Sequence, residues 1–126
     1  MGPCDGAPPE TGVTPLGASI PTFANGSIAP IAPDLACTFR TIRAFRDEEF
    51  DVIHIHEPIC PGPCQTALFL RSAPIVGTWH AAGGSKAYLT PGVRWLATRM
   101  NVRAAVSQDA RDMAHEALGG NYEVVF

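Results

Sequence analysis

Residues 50–58, which read FDVIHIHEP, constrain the fold of this chain more than any other stretch. The apolar residues Phe50, Val52, Ile53 and Ile55 lead into two histidines, a glutamate and a proline. A short run of this kind indicates a β-strand, and we expect that strand to be buried on both faces. Ligands of open parallel sheets bind at the carboxyl ends of the strands. The polar end of this stretch is therefore where a functional site is expected.

Strands and helices alternate after Pro58. The sequence predicts a helix at 64–71, a strand at 75–79, a helix at 86–100 that bends or splits at Pro91-Gly92, a strand at 102–106, a helix at 108–118 capped by Ser107, and the start of a strand at 122–126. This alternation is typical of βαβ units. We therefore expect the α/β class, with a Rossmann-like parallel sheet and helices on both faces.

The segment upstream of the central strand predicts two short extended pieces, at 16–23 and 27–31, with Asn25-Gly26 as a turn between them. Asp34 then has the character of a helix N-cap. A series of residues recurs at helical spacing and predicts the apolar face of the following helix: Leu35, Phe39, Ile42 and Phe45 or Arg46. The charged residues Arg40, Arg43 and Asp47 are expected on the other face.

The length of 126 residues allows one domain at most. Residues 1–15 are rich in proline and glycine and nearly devoid of apolar side chains, which predicts a disordered segment before an ordered region at 16–126. The last residues form the beginning of a strand. We therefore expect the chain to be a fragment of a longer protein.

Charge and hydropathy exclude several classes of function. A net charge of −3 gives no electrostatic signature of a nucleic-acid-binding protein. The sequence has no apolar run that would cross a bilayer, and its N-terminus does not have the pattern of a signal peptide. We expect a cytoplasmic protein whose four cysteines are free thiols: Cys4, Cys37, Cys60 and Cys64.

Two neighbouring strand ends carry the candidate chemistry. His56 and Glu57 end the first strand, and His80 follows the strand at 75–79, so the three are expected to form a polar pocket. Alternatives remain open. His54 and His56 share a face and could bind a metal in a hydrolase, with His80 or His115 as further ligands. His54 could equally be a packed, hydrogen-bonded histidine, and His80 a solvated loop residue.

Four segments, in this order, resemble glycosyltransferase family 4: IPTFANGSIAPIAP, FDVIHIHEP, APIVGTWHAAGGSK and RAAVSQDAR. The similarity is to the N-terminal, acceptor-side domain of retaining enzymes such as the phosphatidylinositol mannosyltransferases. It implies a GT-B fold of two Rossmann-like domains, of which this chain would be part of the first. The whole enzyme would transfer a hexose such as mannose from a UDP- or GDP-sugar to a lipid or glycan acceptor. No cofactor is implied, and the donor would be bound mainly by a C-terminal domain whose motifs this sequence does not contain.

The resemblance also implies roles for single residues. His80 matches the catalytic histidine that contacts hydroxyl groups of the transferred sugar. Asn25 and Ser27 match an acceptor-contacting turn, and Lys86 a basic position after the histidine. His56 and Glu57 match a segment that is mostly structural and partly lines the acceptor pocket.

One residue departs from the pattern of the family, and a second function remains as an alternative. Pro30 stands where the mannosyltransferases carry an arginine that grips the acceptor phosphate, which argues against a phosphoinositide acceptor. The chain alone is expected to be inactive, and the full enzyme is expected to make peripheral contact with the inner face of a membrane. The alternative is a binding module without catalysis that pairs with a partner through exposed sheet edges.

Overall fold

The computed structural model describes residues 1–2, 6–7, 12–24, 27–31, 34–83 and 86–125. Its elements, in chain order, are β1 (Ile20–Ala24), β2 (Ser27–Ile31), α1 (Leu35–Asp47), β3 (Ile53–His56), α2 (Pro63–Leu70), β4 (Ile75–Trp79), a 3-10 turn (Lys86–Leu89), α3 (Val93–Thr98), β5 (Val102–Ala105), α4 (Gln108–Leu118) and β6 (Glu123–Val124). Strands β1 and β2 form an antiparallel pair, and β3-β4-β5-β6 form a parallel sheet in that order. The predicted α/β, Rossmann-like class is confirmed.

The core lies between the parallel sheet and its helices. Its largest fully buried side chains include Trp79, Ile75 and Leu68. Strand β4 pairs with β3 on one edge and with β5 on the other, so it has no free edge. Ile75, Gly77, Thr78 and Trp79 of this strand are buried, and Val76 is half-buried.

Strand β3 corrects one expectation. Ile53 and Ile55 are buried, but His54 and His56 on the opposite face are exposed. The prediction of burial on both faces was wrong because only one face of β3 joins the core.

Helix α1 confirms its predicted start and corrects its predicted face. The Asp34 carboxylate accepts a hydrogen bond from the Cys37 N–H at 2.7 Å, as an N-cap does. However, Leu35 and Phe39 are 76% and 67% exposed, whereas Cys37 and Thr41 are fully buried. The small side chains face inward because they let α1 approach its neighbours closely. The Thr41 hydroxyl donates to the Cys37 carbonyl of its own helix, so its burial leaves no unpaired donor.

The second half of the chain follows its local signals. The helix predicted at 86–100 is split at Pro91-Gly92 into the 3-10 turn and α3, and Gly92 adopts a positive φ of 84°. Helix α4 begins after Ser107, whose hydroxyl accepts from the Ala110 N–H at 3.1 Å. Both features depend on residues within a few positions, which explains why the sequence predicted them.

The N-terminal segment is described only in part. Gly2 forms an isolated parallel bridge with Pro15, and Leu16 next to it is fully buried. Most of the residues between them lie outside the described ranges, so the disordered segment at 1–15 stays a prediction. The Asn25-Gly26 turn also lies outside the described residues.

Candidate functional site

The carboxyl ends of β3 and β4 bring three predicted site residues together: His56, Glu57 and His80. The parallel register pairs His56 with Thr78, so the residues that follow each strand meet at the same edge of the sheet. We call His56, Glu57 and His80 the histidine edge. The sequence placed all three at this edge, and the structure adds the contacts that join them.

Glu57 fixes the main chain of the residues that follow β4. Its N–H donates to the Thr78 carbonyl at 2.9 Å. Its carboxylate Oε1 accepts from the His80 N–H at 2.7 Å and from the Ala81 N–H at 2.9 Å. Glu57 also adopts a positive φ of 51°, which is uncommon for a residue other than glycine. Sequence reasoning missed this clamp, because nothing but the position of a glutamate at a strand end pointed to it.

The imidazole rings of His56 and His80 are joined directly. His56 Nδ1 lies 2.7 Å from His80 Nε2, and the ring centroids are 4.9 Å apart. The ring of His54 also contacts the ring of His56, with a centroid distance of 4.4 Å and a tilt of 35°. His54 Nε2 lies 2.8 Å from the hydroxyl of Thr78, a buried residue that sequence reasoning did not single out. Of the two alternatives for His54, the structure therefore supports the packed, hydrogen-bonded histidine rather than the metal ligand.

Two groups at the end of β3, His56 and Cys64, have shifted pKa values. Loss of hydration lowers the pKa of His56, and the neighbouring His54 and His80 lower it further, against the opposing effect of Glu57. Burial raises the pKa of the Cys64 thiol to about 12. That thiol donates to the His56 carbonyl at 3.7 Å. The lowered pKa of His56 and the raised pKa of Cys64 both favour the neutral form of each group at neutral pH.

The geometry does not match metal ligation. Two nitrogen ligands of one tetrahedral zinc lie about 3.3 Å apart, given zinc–nitrogen distances of about 2.0–2.1 Å. The 2.7 Å between His56 and His80 is instead the distance of a hydrogen bond. In the part of the chain that the structure describes, no group of three or more His, Cys, Asp or Glu side chains is arranged to hold a metal ion.

The structure describes less of the other predicted site residues. Asn25 lies outside the described residues. Ser27 begins β2 and pairs with Ala24. Lys86 begins the 3-10 turn and is exposed, and no described hydrogen bond or ion pair joins it to the histidine edge. The roles of Asn25, Ser27 and Lys86 in binding an acceptor stay predictions.

A groove runs along the outer edge of β3, between that strand and helices α1 and α2. It has a volume of about 330 Å³. Its lining is mostly apolar and includes Phe45, Phe50, Val52, His54 and His56. The groove therefore reaches the histidine edge from the open side of the sheet.

The structure bears on the predicted thiols and on membrane-spanning helices. Cys37, Cys60 and Cys64 are free thiols as predicted, and Cys4 lies outside the described residues. Among the described helices, none combines the length and the hydropathy needed to cross a bilayer.

Comparison with known proteins identifies a matching family and several relatives. The family model for Glycosyltransferase Family 4 matches residues 3–125. A phosphatidyl-myo-inositol mannosyltransferase of Propionibacterium freudenreichii subsp. shermanii is 33% identical over 124 residues, covering 92% of this chain and 32% of the relative. The enzyme of the same name from Mycobacterium leprae is 37% identical over 112 residues, covering 86% of this chain and 30% of the relative.

The chain thus spans about a third of the length of the curated relatives that it matches. The family model covers nearly all of this chain, including the histidine edge. The predicted resemblance is confirmed, and the chain belongs to glycosyltransferase family 4.

Proposed function

We propose that this chain is part of the acceptor-side domain of a retaining hexosyltransferase. The full enzyme transfers a hexose, mannose in the first instance, from a UDP- or GDP-sugar to a lipid or glycan acceptor. The named relatives, which are mannosyltransferases, support the choice of sugar. Pro30 stands where the mannosyltransferases carry an arginine for the acceptor phosphate. The proposal therefore includes both lipid and glycan acceptors.

The position of His80 carries this proposal. His80 follows the central strand β4, its main chain is clamped by Glu57, and its ring is exposed at the sheet edge where ligands of such folds bind. In our proposal the ring contacts a hydroxyl group of the transferred sugar. Retaining transfer passes through an oxocarbenium-like state, so a fixed polar group beside the sugar acts by positioning and by stabilising developing charge.

The test uses a chimera, because the donor-binding half is expected to lie outside this chain. The matching third of the Propionibacterium enzyme is replaced by this chain, and transfer from labelled GDP-mannose and UDP-glucose is measured. Phosphatidylinositol, total membrane lipid and oligosaccharides serve as acceptors. We expect turnover with at least one pair of donor and acceptor. We expect none from the 126-residue chain by itself.

The variant His80→Ala in the chimera is expected to lower kcat about 100-fold, the usual cost of removing one stabilising group from an active site. His115→Ala is the matched control. His115 lies on α4, where its Nδ1 is 2.7 Å from the Gly120 carbonyl, and its loss should leave turnover unchanged. An active chimera that tolerates His80→Ala would refute the role of His80. A chimera that unfolds cooperatively yet transfers no sugar to any acceptor would refute the proposed function.

A second candidate is a binding module, and the open edge of β3 favours it. Within the described sheet β3 pairs only with β4, and the apolar groove follows its other edge. Unpaired strand edges with apolar surroundings accept a further strand. This alternative predicts self-association of the purified chain that Val52→Lys abolishes, measured by sedimentation equilibrium. A monomer at all concentrations would argue against it.

A further inference from the structure

The contact between His56 and His80 allows only one proton between the two rings. In a neutral pair of imidazoles one nitrogen donates and the other accepts. His56 Nδ1 and His80 Nε2 are 2.7 Å apart, so this bond determines the tautomer of both histidines at once. Nε2 of His80 is thereby occupied. The Nδ1 atom of His80 has no hydrogen-bond partner in the described part of the chain. It is therefore the nitrogen of this ring that can bind a ligand.

The surroundings hold the pair in place. His54 stacks on His56 and is itself anchored to Thr78. The Glu57 carboxylate binds the main chain of His80 and Ala81. His80 is therefore fixed twice, at its main chain by Glu57 and at its ring by His56. Both contacts come from the end of the neighbouring strand.

The direction of the bond follows from the chemistry of imidazole. If His80 donates, both rings are in the Nε2–H tautomer, the one that a free histidine side chain favours in water. If His56 donates, both rings must take the less favoured Nδ1–H form. Loss of hydration lowers the pKa of His56 and so favours its neutral ring, whose Nδ1 can accept. Donation from His80 to His56 is the arrangement that costs neither ring its preferred form.

We propose that His56 is a positioning residue that accepts the Nε2–H of His80 and leaves the Nδ1 of His80 unprotonated, as the acceptor for a substrate hydroxyl group. The identity of that substrate as a sugar rests on the proposed function. The assignment of the His80 tautomer is independent of the proposed function. The pair would select ligands that donate hydrogen bonds through hydroxyl groups, and it would disfavour ligands that present only acceptors.

The first experiment determines the tautomer in the whole 126-residue chain. Histidine is labelled with ¹⁵N, and long-range ¹H–¹⁵N correlation spectra are recorded at neutral pH. We expect an imine-type shift at Nδ1 of His80 and a pyrrole-type shift at Nε2. A pyrrole-type shift at Nδ1 of His80 would overturn the proposal.

Three variants separate positioning from structure. His56→Phe keeps a ring but removes the acceptor, so the His80 shifts should move toward the tautomer average of a free histidine. His56→Asn places its Oδ1 the same number of bonds from the main chain as Nδ1, and should restore the wild-type shifts. His115→Phe is the matched control, since His115 lies on α4 and its Nδ1 is 2.7 Å from the Gly120 carbonyl. Unchanged His80 shifts in His56→Phe, with the other histidine resonances retained, would contradict the proposal.

The second experiment measures kinetics in the chimera. His56→Phe should lower kcat about 10-fold with KM for the donor little changed, and His56→Asn should recover most of the rate. An active chimera whose kcat is unaffected by His56→Phe would overturn the positioning role. An inactive chimera together with the expected NMR result would refute the proposed function, while the assignment of the His80 tautomer would stand.

Discussion

Strand β4 and helix α1 differ in the burial of their large apolar residues. Ile75 and Trp79 of β4 are fully buried, whereas Leu35 and Phe39 of α1 are mostly exposed. Ile75 and Trp79 belong to the core cluster between the sheet and its helices, and Val76 between them is half-buried. Helix α1 is covered on one side only. Which of its side chains are buried depends on the size that fits against the neighbouring elements.

The side of α1 that turns inward is made of small residues. Cys37, Thr41 and Ala44 are buried, and α1 packs on α2. Close packing favours small side chains where two helices approach, even when larger apolar residues stand on the other face. Apolar periodicity thus predicted that α1 is a helix, but it did not determine which face the rest of the molecule covers.

The largest expected effect tests that face directly. Thr41→Asp places a carboxylate at a fully buried position and should lower the free energy of unfolding by about 2–4 kcal/mol. Phe39→Asp is the matched control, because it makes the same helix-disfavouring change at a position 67% exposed. It should cost less than about 1 kcal/mol. Urea denaturation followed by circular dichroism measures both.

Equal losses in the two α1 variants would mean that both faces of the helix are covered. A larger loss for Phe39→Asp than for Thr41→Asp would restore the face that the sequence predicted. Either result would remove the contrast between α1 and β4.

A second test concerns the tightness of β4. A Cβ atom added at Gly77 would overlap the sulfur of Met100 and lie 2.7 Å from Cγ of Pro58. Gly77→Ala should therefore cost about 1–3 kcal/mol, as overpacking of a core usually does. Met100→Val in the same chain shortens one of the two obstacles. The double variant should be more stable than the sum of the single changes predicts, by about 0.5–1 kcal/mol. Strict additivity would show that β4 is not packed as tightly as the distances indicate.

The elements that the sequence predicted well are those with local causes. Asp34 and Ser107 cap their helices within three residues, and Pro91-Gly92 breaks the helix in which it lies. The face of α1 and the one-sided burial of β3 depend on which elements are neighbours in space. A single sequence carries little of that information, so these two predictions were wrong.

The candidate site divides in the same way. Parallel strands bring their carboxyl ends to one edge, which was enough to place His56, Glu57 and His80 together. The bond between the two rings and the Glu57 clamp require the register of β3 against β4 and the left-handed backbone of Glu57. Neither can be derived from spacing along the chain, and the assignment of a role to His56 depends on both.

The smallest expected effect is the pH dependence that His56 brings to the open end of β3. Its pKa in the folded chain lies below the ordinary value of 6.5, chiefly because the ring loses hydration. Between those two values the unfolded chain binds more protons than the folded chain, so stability rises with pH. The contribution is fully present above pH 6.5 and is lost as the pH falls through the folded value.

The free energy of unfolding of the wild type should therefore decline as the pH is lowered from about 7 to about 5, measured by urea titration at each pH. His56→Phe and His56→Asn cannot take up this proton, and both should show a shallower decline whatever their stability at pH 7. The groups that face the ring, His54, His80 and Glu57, stay present in all three proteins. A decline of the same slope in all three would assign the pH dependence to those neighbours. His56 would then be hydrated like an ordinary surface histidine, and the edge of β3 would be as open to solvent as the outer face of α1.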